Sequence, residues 1–191
     1  MTNVATDRPL VDDLVESVQS VGLTVAASSA WPERADDPPP PALPGFVLSS
    51  FSPLVAEVAE RCLSRAAGLP PLPFARGDRI SLVLVSPLGD VAAAVHVAET
   101  VDRGGRVGPL LFFQSVPNSI AGYVAARWGI AGPVVCLASP GAGPEAAGLL
   151  IDDGEADEVL VIIAEQSYLD AVDDRAAAVL VRRDASEGAN L

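Results

Sequence analysis

The sequence predicts an α/β fold in which a mixed, mostly parallel sheet is flanked by helices. Two observations support this. Apolar runs at 80–86 and 158–164 lack polar alternation, as expected for strands that are covered on both faces. Apolar residues at helical spacing lie at 91–101 and 117–128, between or beside those runs. Strands that alternate with helices are typical of a layered fold with a largely parallel sheet.

The amino-terminal part of the chain contains a helix, a strand and a proline-rich connector. Apolar residues at helical spacing predict a helix over 10–20. A first strand is predicted over 23–27, and it is expected to be broken at Trp31–Pro32. The prolines in 33–45 predict an extended, solvated connector.

The next helix is marked at both ends. It is predicted to begin at Ser52, with a proline in its first turn, and to run to Ala66 before ending at Gly68. Cys62 lies on its apolar face and is interpreted as a core residue. A second proline-rich loop is predicted at 70–73.

A strand, a turn and a helix form the centre of the second half. The apolar run at 134–139 is bounded by Gly-Pro and Ser-Pro-Gly and predicts a buried strand. A loop is expected before the helix at 117–128, and a further helix is predicted over 144–151, with Pro144 in its first position. The last strand is predicted at 176–181.

These patterns divide the chain into three parts. Residues 1–45 hold the first helix, the first strand and the connector, residues 46–183 form the main domain, and residues 184–191 are a tail. His96, in the middle of a helix, is expected to pair weakly with Glu99 rather than to bind a metal.

Composition excludes several classes of partner. The chain has 191 residues and a net charge of −13, from 25 acidic residues and 12 arginines without any lysine. Such a charge repels phosphate backbones and anionic lipids, so neither nucleic acid nor a membrane is expected as a partner. Two cysteines, no secretion signal at the amino terminus and no long apolar run predict a cytoplasmic protein with reduced thiols.

Three short motifs resemble the β-ketoacyl synthase family of the thiolase fold. They are Phe-Phe-Gln-Ser-Val-Pro-Asn at 112–118, Gly-Ile-Ala-Gly-Pro at 129–133 and Gly-Glu-Ala-Asp at 154–157. The resemblance covers about 45–183 and implies the amino-terminal half of that fold. In the family a nucleophilic cysteine follows the second motif, and here its position falls on Gly141.

This substitution makes the chain similar to the family's chain-length-factor subunits, in which the cysteine is lost. The turn Gly141, Ala142 and Gly143 is therefore interpreted as a nucleophile turn without its nucleophile. The family's two catalytic histidines belong to the second half of the fold. The resemblance implies a non-catalytic subunit with no catalytic residues, no cofactor and no metal.

The resemblance also implies partners and interface residues. The expected partner is a full-length ketosynthase subunit in a heterodimer, or a second copy in a homodimer, in type II fatty acid or polyketide biosynthesis. An acyl carrier protein is expected to bind through the partner. The strand at 134–139 would lie along the dimer axis. Carried over by position, the residues of the substrate tunnel and interface are Leu111, Phe112, Ser115, Val116 and Asn118.

Three alternatives remain open. Gly141, Gly143 and Ala146 fit a loose dinucleotide pattern, with Glu165 placed to bind a ribose, so a nucleotide- or acyl-coenzyme-A-binding enzyme is possible. A stand-alone scaffold or binding domain is the second alternative. In the third, Cys136 is the nucleophile, although a buried thiol has a raised pKa. Half of a layered fold is also expected to leave one face of its central helix and sheet uncovered.

Overall fold

The computed structural model describes residues 9–46, 48–166 and 174–184. Its elements in chain order are α1 (Leu10–Ser20), β1 (Thr24–Trp31), α2 (Phe51–Ala67), α3 (Phe74–Gly77), β2 (Ile80–Val85), α4 (Val91–Asp102), α5 (Pro109–Gln114), α6 (Pro117–Trp128), β3 (Val134–Leu137), α7 (Ala142–Asp152), β4 (Glu158–Glu165) and β5 (Arg175–Arg182). None of the helices in this part of the chain has both the length and the apolar character needed to cross a bilayer.

The strands form one mixed sheet in the order β1-β5-β4-β2-β3. Strand β2 pairs in parallel with both β3 and β4, whereas β5 runs antiparallel to β4 and β1. Four strands therefore share one direction and only β5 is reversed. This confirms the predicted α/β class and the mixed, mostly parallel sheet.

Helices cover both faces of the sheet. On one face, α2 and α6 pack on Leu82, Leu84 and Leu160. On the other face, α1 and α7 pack on Val161 and Val179 and on their neighbours. The expectation that one face of the sheet lies open is therefore wrong, because α1 covers the part of this face that α7 does not reach.

The predicted helices are confirmed, while several other boundaries are corrected. Gly68 and Gly129 end α2 and α6 with φ angles of 85° and 70°, which glycine adopts without strain. The first strand continues beyond 27 to Trp31 because β5 pairs with it along that length. Helix α7 begins at Ala142, two residues before Pro144.

Two corrections concern the region of the predicted interface. Strand β3 ends at Leu137 and lies at the edge of the sheet, where Val134 is 40% exposed, so the prediction of a buried strand is wrong. The segment before α6 is not a loop, because Pro109–Gln114 form the short helix α5.

Ion pairs hold the connector against α2. Asp37 accepts a hydrogen bond of 2.8 Å from Arg61, and Glu33 accepts two, of 2.7 and 2.8 Å, from Arg65. The hydrogen bond from Arg61 is the main reason why the pKa of Asp37 is lowered to about 2. The connector is largely exposed as predicted, but it contains bends and turns at 32–36 and is fixed to the helix by these ion pairs.

Candidate functional site at the carboxyl edge of the sheet

Three parallel strands end at one edge of the sheet. Strands β2, β3 and β4 end at Val85, Leu137 and Glu165, so the loops 86–90 and 138–141 meet there. In sheets of this kind, ligands and nucleophiles lie at the carboxyl ends of the strands. This edge includes the turn that the sequence singled out.

The two glycines of that turn have different surroundings. Gly141 lies just before α7 with φ −67° and ψ −22°, and a Cβ built there meets no atom within 4 Å. At Gly143 the same construction places a Cβ only 2.7 Å from Cγ2 of Val85. Ala142, between them, is half-buried. The turn therefore has room for a side chain at Gly141, while Gly143 is needed for the close packing of α7 on β2.

Neither cysteine can act as an activated nucleophile. Cys62 is completely buried, and this burial raises the pKa of its thiol to about 12. Burial also raises the pKa of Cys136, which is half-buried in β3. Thiol chemistry requires the thiolate, and a raised pKa suppresses it. The structure thus argues against the alternative in which Cys136 is the nucleophile.

His96 does not form the expected ion pair. Its Nε2 lies 3.4 Å from Oγ1 of Thr100, whereas Glu99 pairs with Arg103 at 3.5 Å. The prediction of a His96–Glu99 pair is wrong because both partners are taken by residues one helical turn further on.

Two residues that the dinucleotide alternative requires make other contacts. The carboxylate of Glu165, which would hold the ribose, accepts a hydrogen bond of 2.7 Å from Arg175. Gly143, which would approach a pyrophosphate, faces Val85 instead. Both groups therefore have structural roles, which disfavours a nucleotide at this edge.

Two side chains at this edge hold the amino end of α4. Oδ1 of Asp90 accepts a hydrogen bond of 2.9 Å from the backbone N–H of Ala93. Oε1 of Gln166 accepts one of 2.8 Å from Val91, and its Nε2 donates to Oγ of Ser50 at 2.6 Å. Asp90 could have been found from the sequence, because aspartate before an apolar helical run is a capping signal. Gln166 gave no such signal, because it is 75 residues from Val91 in the chain.

The predicted tunnel residues lie together on α5 and at the start of α6. Leu111 and Ser115 are half-buried, whereas Phe112, Val116 and Asn118 are exposed. The hydroxyl of Ser119 donates a hydrogen bond to the carbonyl of Phe113, which links the two helices. The five residues thus form one short, continuous surface.

Most of the exposed large hydrophobic side chains lie in the same part of the chain. Of the twelve large hydrophobic side chains that are well exposed in the described part of the chain, eight lie between residues 88 and 134. We call these eight the apolar flank: Leu88, Val95, Val101, Leu110, Phe112, Phe113, Val116 and Val134. The sequence has no acidic residue between Arg103 and Pro144, so much of the apolar flank is also free of negative charge.

Comparisons with known proteins identify the fold. No family model and no curated protein matches the chain. A solved ketosynthase in complex with its chain length factor, from Xenorhabdus doucetiae, matches at 20% identity and a TM-score of 0.60, over 86% of this chain and 80% of the other. A β-ketoacyl synthase from Burkholderia phymatum matches at 17% identity and a TM-score of 0.62, over 90% of this chain and 55% of the other. The ishigamide ketosynthase/chain length factor matches at 16% identity and a TM-score of 0.58, over 76% of this chain and 47% of the other.

These similarities show that the chain has a ketosynthase-like thiolase fold, as the motifs predicted. The chain spans about half the length of the second and third proteins. The chain matched in the Xenorhabdus complex is close to this one in length, since similar shares of both are covered.

Proposed function

We propose that this protein is a non-catalytic, chain-length-factor-like subunit that pairs with a ketosynthase in type II fatty acid or polyketide biosynthesis. One observation carries the proposal. The turn before α7 has open space at Gly141, where the family's nucleophile would stand, but that position has no side chain. Without a nucleophile there, condensation through an acyl-enzyme cannot occur on this chain.

The edge of the sheet supports a role in pairing. Strand β3 has a neighbour on only one side, because it is the last strand of the sheet. No strand of the described residues pairs with its outer side, and exposed edges of this kind recruit other chains. Val134 on this strand is part of the apolar flank.

The position of α5 supports a role in shaping an acyl tunnel. Leu111 and Ser115 are half-buried and Phe112 and Val116 are exposed, so a partner that covers α5 would enclose all four. Side chains at such a position would limit the length of the acyl chain by their volume, because a larger side chain leaves a shorter space in the tunnel. An acyl carrier protein would then bind through the partner, since this chain is itself strongly acidic.

The comparisons support a partner of this kind. The structure from Xenorhabdus is of a ketosynthase with its chain length factor, and the matched chain has about the length of this one. Another similar structure, at 11% identity and a TM-score of 0.51, is described as an acyl carrier protein in complex with its ketosynthase.

Co-expression with a ketosynthase encoded beside this gene tests the proposal. We expect a stable complex in size-exclusion chromatography and condensation activity that depends on the ketosynthase. Leu111→Trp and Ser115→Trp are expected to shorten the products of the complex. Leu69→Trp is the matched control, because Leu69 is 86% exposed and lies just after α2, away from α5.

Two results would contradict the proposal. The first is the absence of any complex with the ketosynthases of the same genome. The second is condensation by this chain alone. Unchanged product lengths in a stable complex would remove only the tunnel assignment.

A further inference from the structure

We propose that Arg61, Arg65 and Glu33 close the β1 edge of the sheet to strand addition, so that this chain joins another chain by strand pairing only at β3. We call these three residues the edge cap. The edge cap is defined by contacts within this chain, whereas the use of β3 as the pairing edge rests on the proposed function.

The sheet has two edges. Strands β1 and β3 are its outer strands, and each has a neighbouring strand on one side only. The outer side of such a strand carries N–H and C=O groups that can pair with a strand of another molecule, and proteins commonly block edges of this kind. A subunit that is open at both edges can bind a further chain at each of them, so that assembly continues beyond a pair. A subunit that forms a closed pair therefore needs one edge blocked.

The alternation of the antiparallel ladder identifies the groups of β1 that face outward. Ala30 lies opposite Ala177 of β5, but its N–H donates a hydrogen bond of 3.1 Å to Oε1 of Glu33. This N–H therefore points away from β5. Residues two apart on a strand point their backbone groups in the same direction, so the N–H and C=O groups of Ser28 and Ala30 form the outer side of β1.

Side chains of α2 bond to the carbonyl groups on this outer side. Nη1 of Arg65 donates a hydrogen bond of 2.6 Å to the carbonyl of Ser28. Nη1 of Arg61 donates one of 3.2 Å to the carbonyl of Ala30, whose N–H is bonded to Glu33. Three of the four outward-facing groups of these two strand residues are thus bonded within the chain. An incoming strand would have to displace hydrogen bonds that involve charged side chains, and such bonds are stronger than those between neutral groups.

Further ion pairs hold the edge cap in place. Glu33 accepts hydrogen bonds of 2.7 and 2.8 Å from Arg65. Arg61 donates a hydrogen bond of 2.8 Å to Asp37 and another of 2.8 Å to Glu57. The pKa of Glu33 is lowered, mainly by its hydrogen bond from Arg65, so this carboxylate is charged at neutral pH. The two arginines are therefore fixed over the edge before any other chain arrives.

The connector continues the block beyond the end of β1. Nε1 of Trp31, the last residue of the strand, donates a hydrogen bond of 3.1 Å to the carbonyl of Pro38. The four prolines at 38–41 have no backbone N–H, so this segment offers no donor to an incoming strand. Proline is one of the residues by which natural sheets protect their edges.

Strand β3 lacks comparable protection in the part of the chain that the structure describes. Only β2 pairs with it, and no side chain of the described residues bonds to the backbone of 134–137. Val134 on this strand is 40% exposed. The two edges of one sheet thus differ, and the difference directs strand pairing to β3.

Sedimentation velocity of the free chain tests the edge cap. Arg61→Ala combined with Arg65→Ala frees the two carbonyls of β1. We expect this double variant to self-associate about tenfold more strongly, or more, because strand addition then gains hydrogen bonds to both carbonyls. Its largest species should exceed those of the wild type. Arg65→Lys keeps a charged donor near Ser28 and is expected to behave like the wild type.

The matched control combines Arg127→Ala with Arg79→Ala. It removes the same number of positive charges, and Arg127, like Arg65, has a side chain that is 47% exposed and paired with a glutamate. Arg79 pairs with Asp157 at the surface. Neither arginine bonds to the backbone of β1 or β3, so the control is expected to associate as the wild type does. Circular dichroism verifies that each variant is folded.

Hydrogen exchange identifies the edge that the double variant uses. The N–H of Ser28 faces outward, so we expect it to exchange more slowly in the associated double variant than in the same variant diluted to single chains. The amides of β3 are expected to show no such change. If the double variant is unfolded, Arg65→Ala, which frees only the carbonyl of Ser28, is measured in its place.

Each outcome has a separate meaning. A folded variant that associates no more than the wild type overturns the inference, as does an equal rise in the control. Slower exchange on association that spares β1 also overturns it. If the wild-type chain binds no ketosynthase, the proposed function fails, whereas the edge cap is still decided by the measurements on the free chain.

Discussion

The close packing of the turn on β2 leads to a sharp prediction about two neighbouring glycines. A methyl group at Gly143 would lie 2.7 Å from Cγ2 of Val85, well below the ordinary contact distance. Val85 is buried, and its β-branched side chain has few alternative rotamers, so it cannot move aside easily. Overpacking of this kind costs about 1–3 kcal/mol, and the better helix propensity of alanine offsets up to about 1 kcal/mol.

Gly143→Ala is therefore expected to lower the free energy of unfolding by roughly 1–2 kcal/mol, because the cost of overpacking exceeds the gain in helix propensity. Gly141→Ala is the matched control, because its new methyl group meets no atom within 4 Å and its φ of −67° suits alanine. We expect it to stay within about 0.5 kcal/mol of the wild type. The measurement is urea denaturation followed by circular dichroism.

A second site completes the test. In Val85→Ala the contacting methyl group is gone, so adding Gly143→Ala to this background is expected to cost nothing further. The reasoning is refuted if Gly143→Ala is as stable as Gly141→Ala in the wild-type background. It is also refuted if the cost of Gly143→Ala persists when Val85 is alanine.

Three more predictions concern stability and thiol chemistry. The pKa of Asp37 is lowered by Arg61 to about 2, so its stabilising effect is present above about pH 4 and is lost as the pH falls toward 2. Asp37→Asn is therefore expected to lose less stability than the wild type between those pH values in urea titrations. Arg76→Ala leaves the nearly buried carboxylate of Glu158 without its two hydrogen bonds, of 2.7 and 3.0 Å, and is expected to cost about 1.5–3 kcal/mol. Cys62, whose pKa is raised to about 12, is expected to resist alkylation by iodoacetamide at neutral pH until the protein unfolds.

The first two have controls on the same protein. Asp36→Asn affects a carboxylate that is 86% exposed and is expected to leave the pH dependence as it is in the wild type. Arg79→Ala removes an ion pair to Asp157 at the surface and is expected to destabilise the protein clearly less than Arg76→Ala. A cost for Arg79→Ala equal to that of Arg76→Ala, or alkylation of Cys62 in the native state, would contradict the argument.

Local patterns in the sequence predicted most of the elements. Helices such as α2 and α6 were predicted because apolar spacing and terminal glycines are properties of neighbouring residues. The buried character of β2 and β4 followed from runs without polar alternation. The candidate turn, Gly141 to Gly143, was likewise located from the chain alone, by counting forward from the motif at 129–133.

Features that depend on distant residues could not be predicted in this way. A strand at the edge of a sheet and one at its centre can both be short and apolar, so the exposure of β3 was decided by the order of the strands. The connector resembles a free linker in sequence, and only the fold brings Arg61 and Arg65 to its acidic residues. Gln166 holds α4 although nothing near it in sequence indicates this role.

The sequence by itself determined the fold class, the helices and the lack of a nucleophile at the turn, because these depend on residue type and local spacing. Only the tertiary structure decided that α1 covers the second face of the sheet, that Gly141 has room for a side chain while Gly143 has none, and that α4 is exposed. The physical reason is that burial, close contact and hydrogen-bond partners are set by residues far apart in the chain, and these come together only in the folded protein.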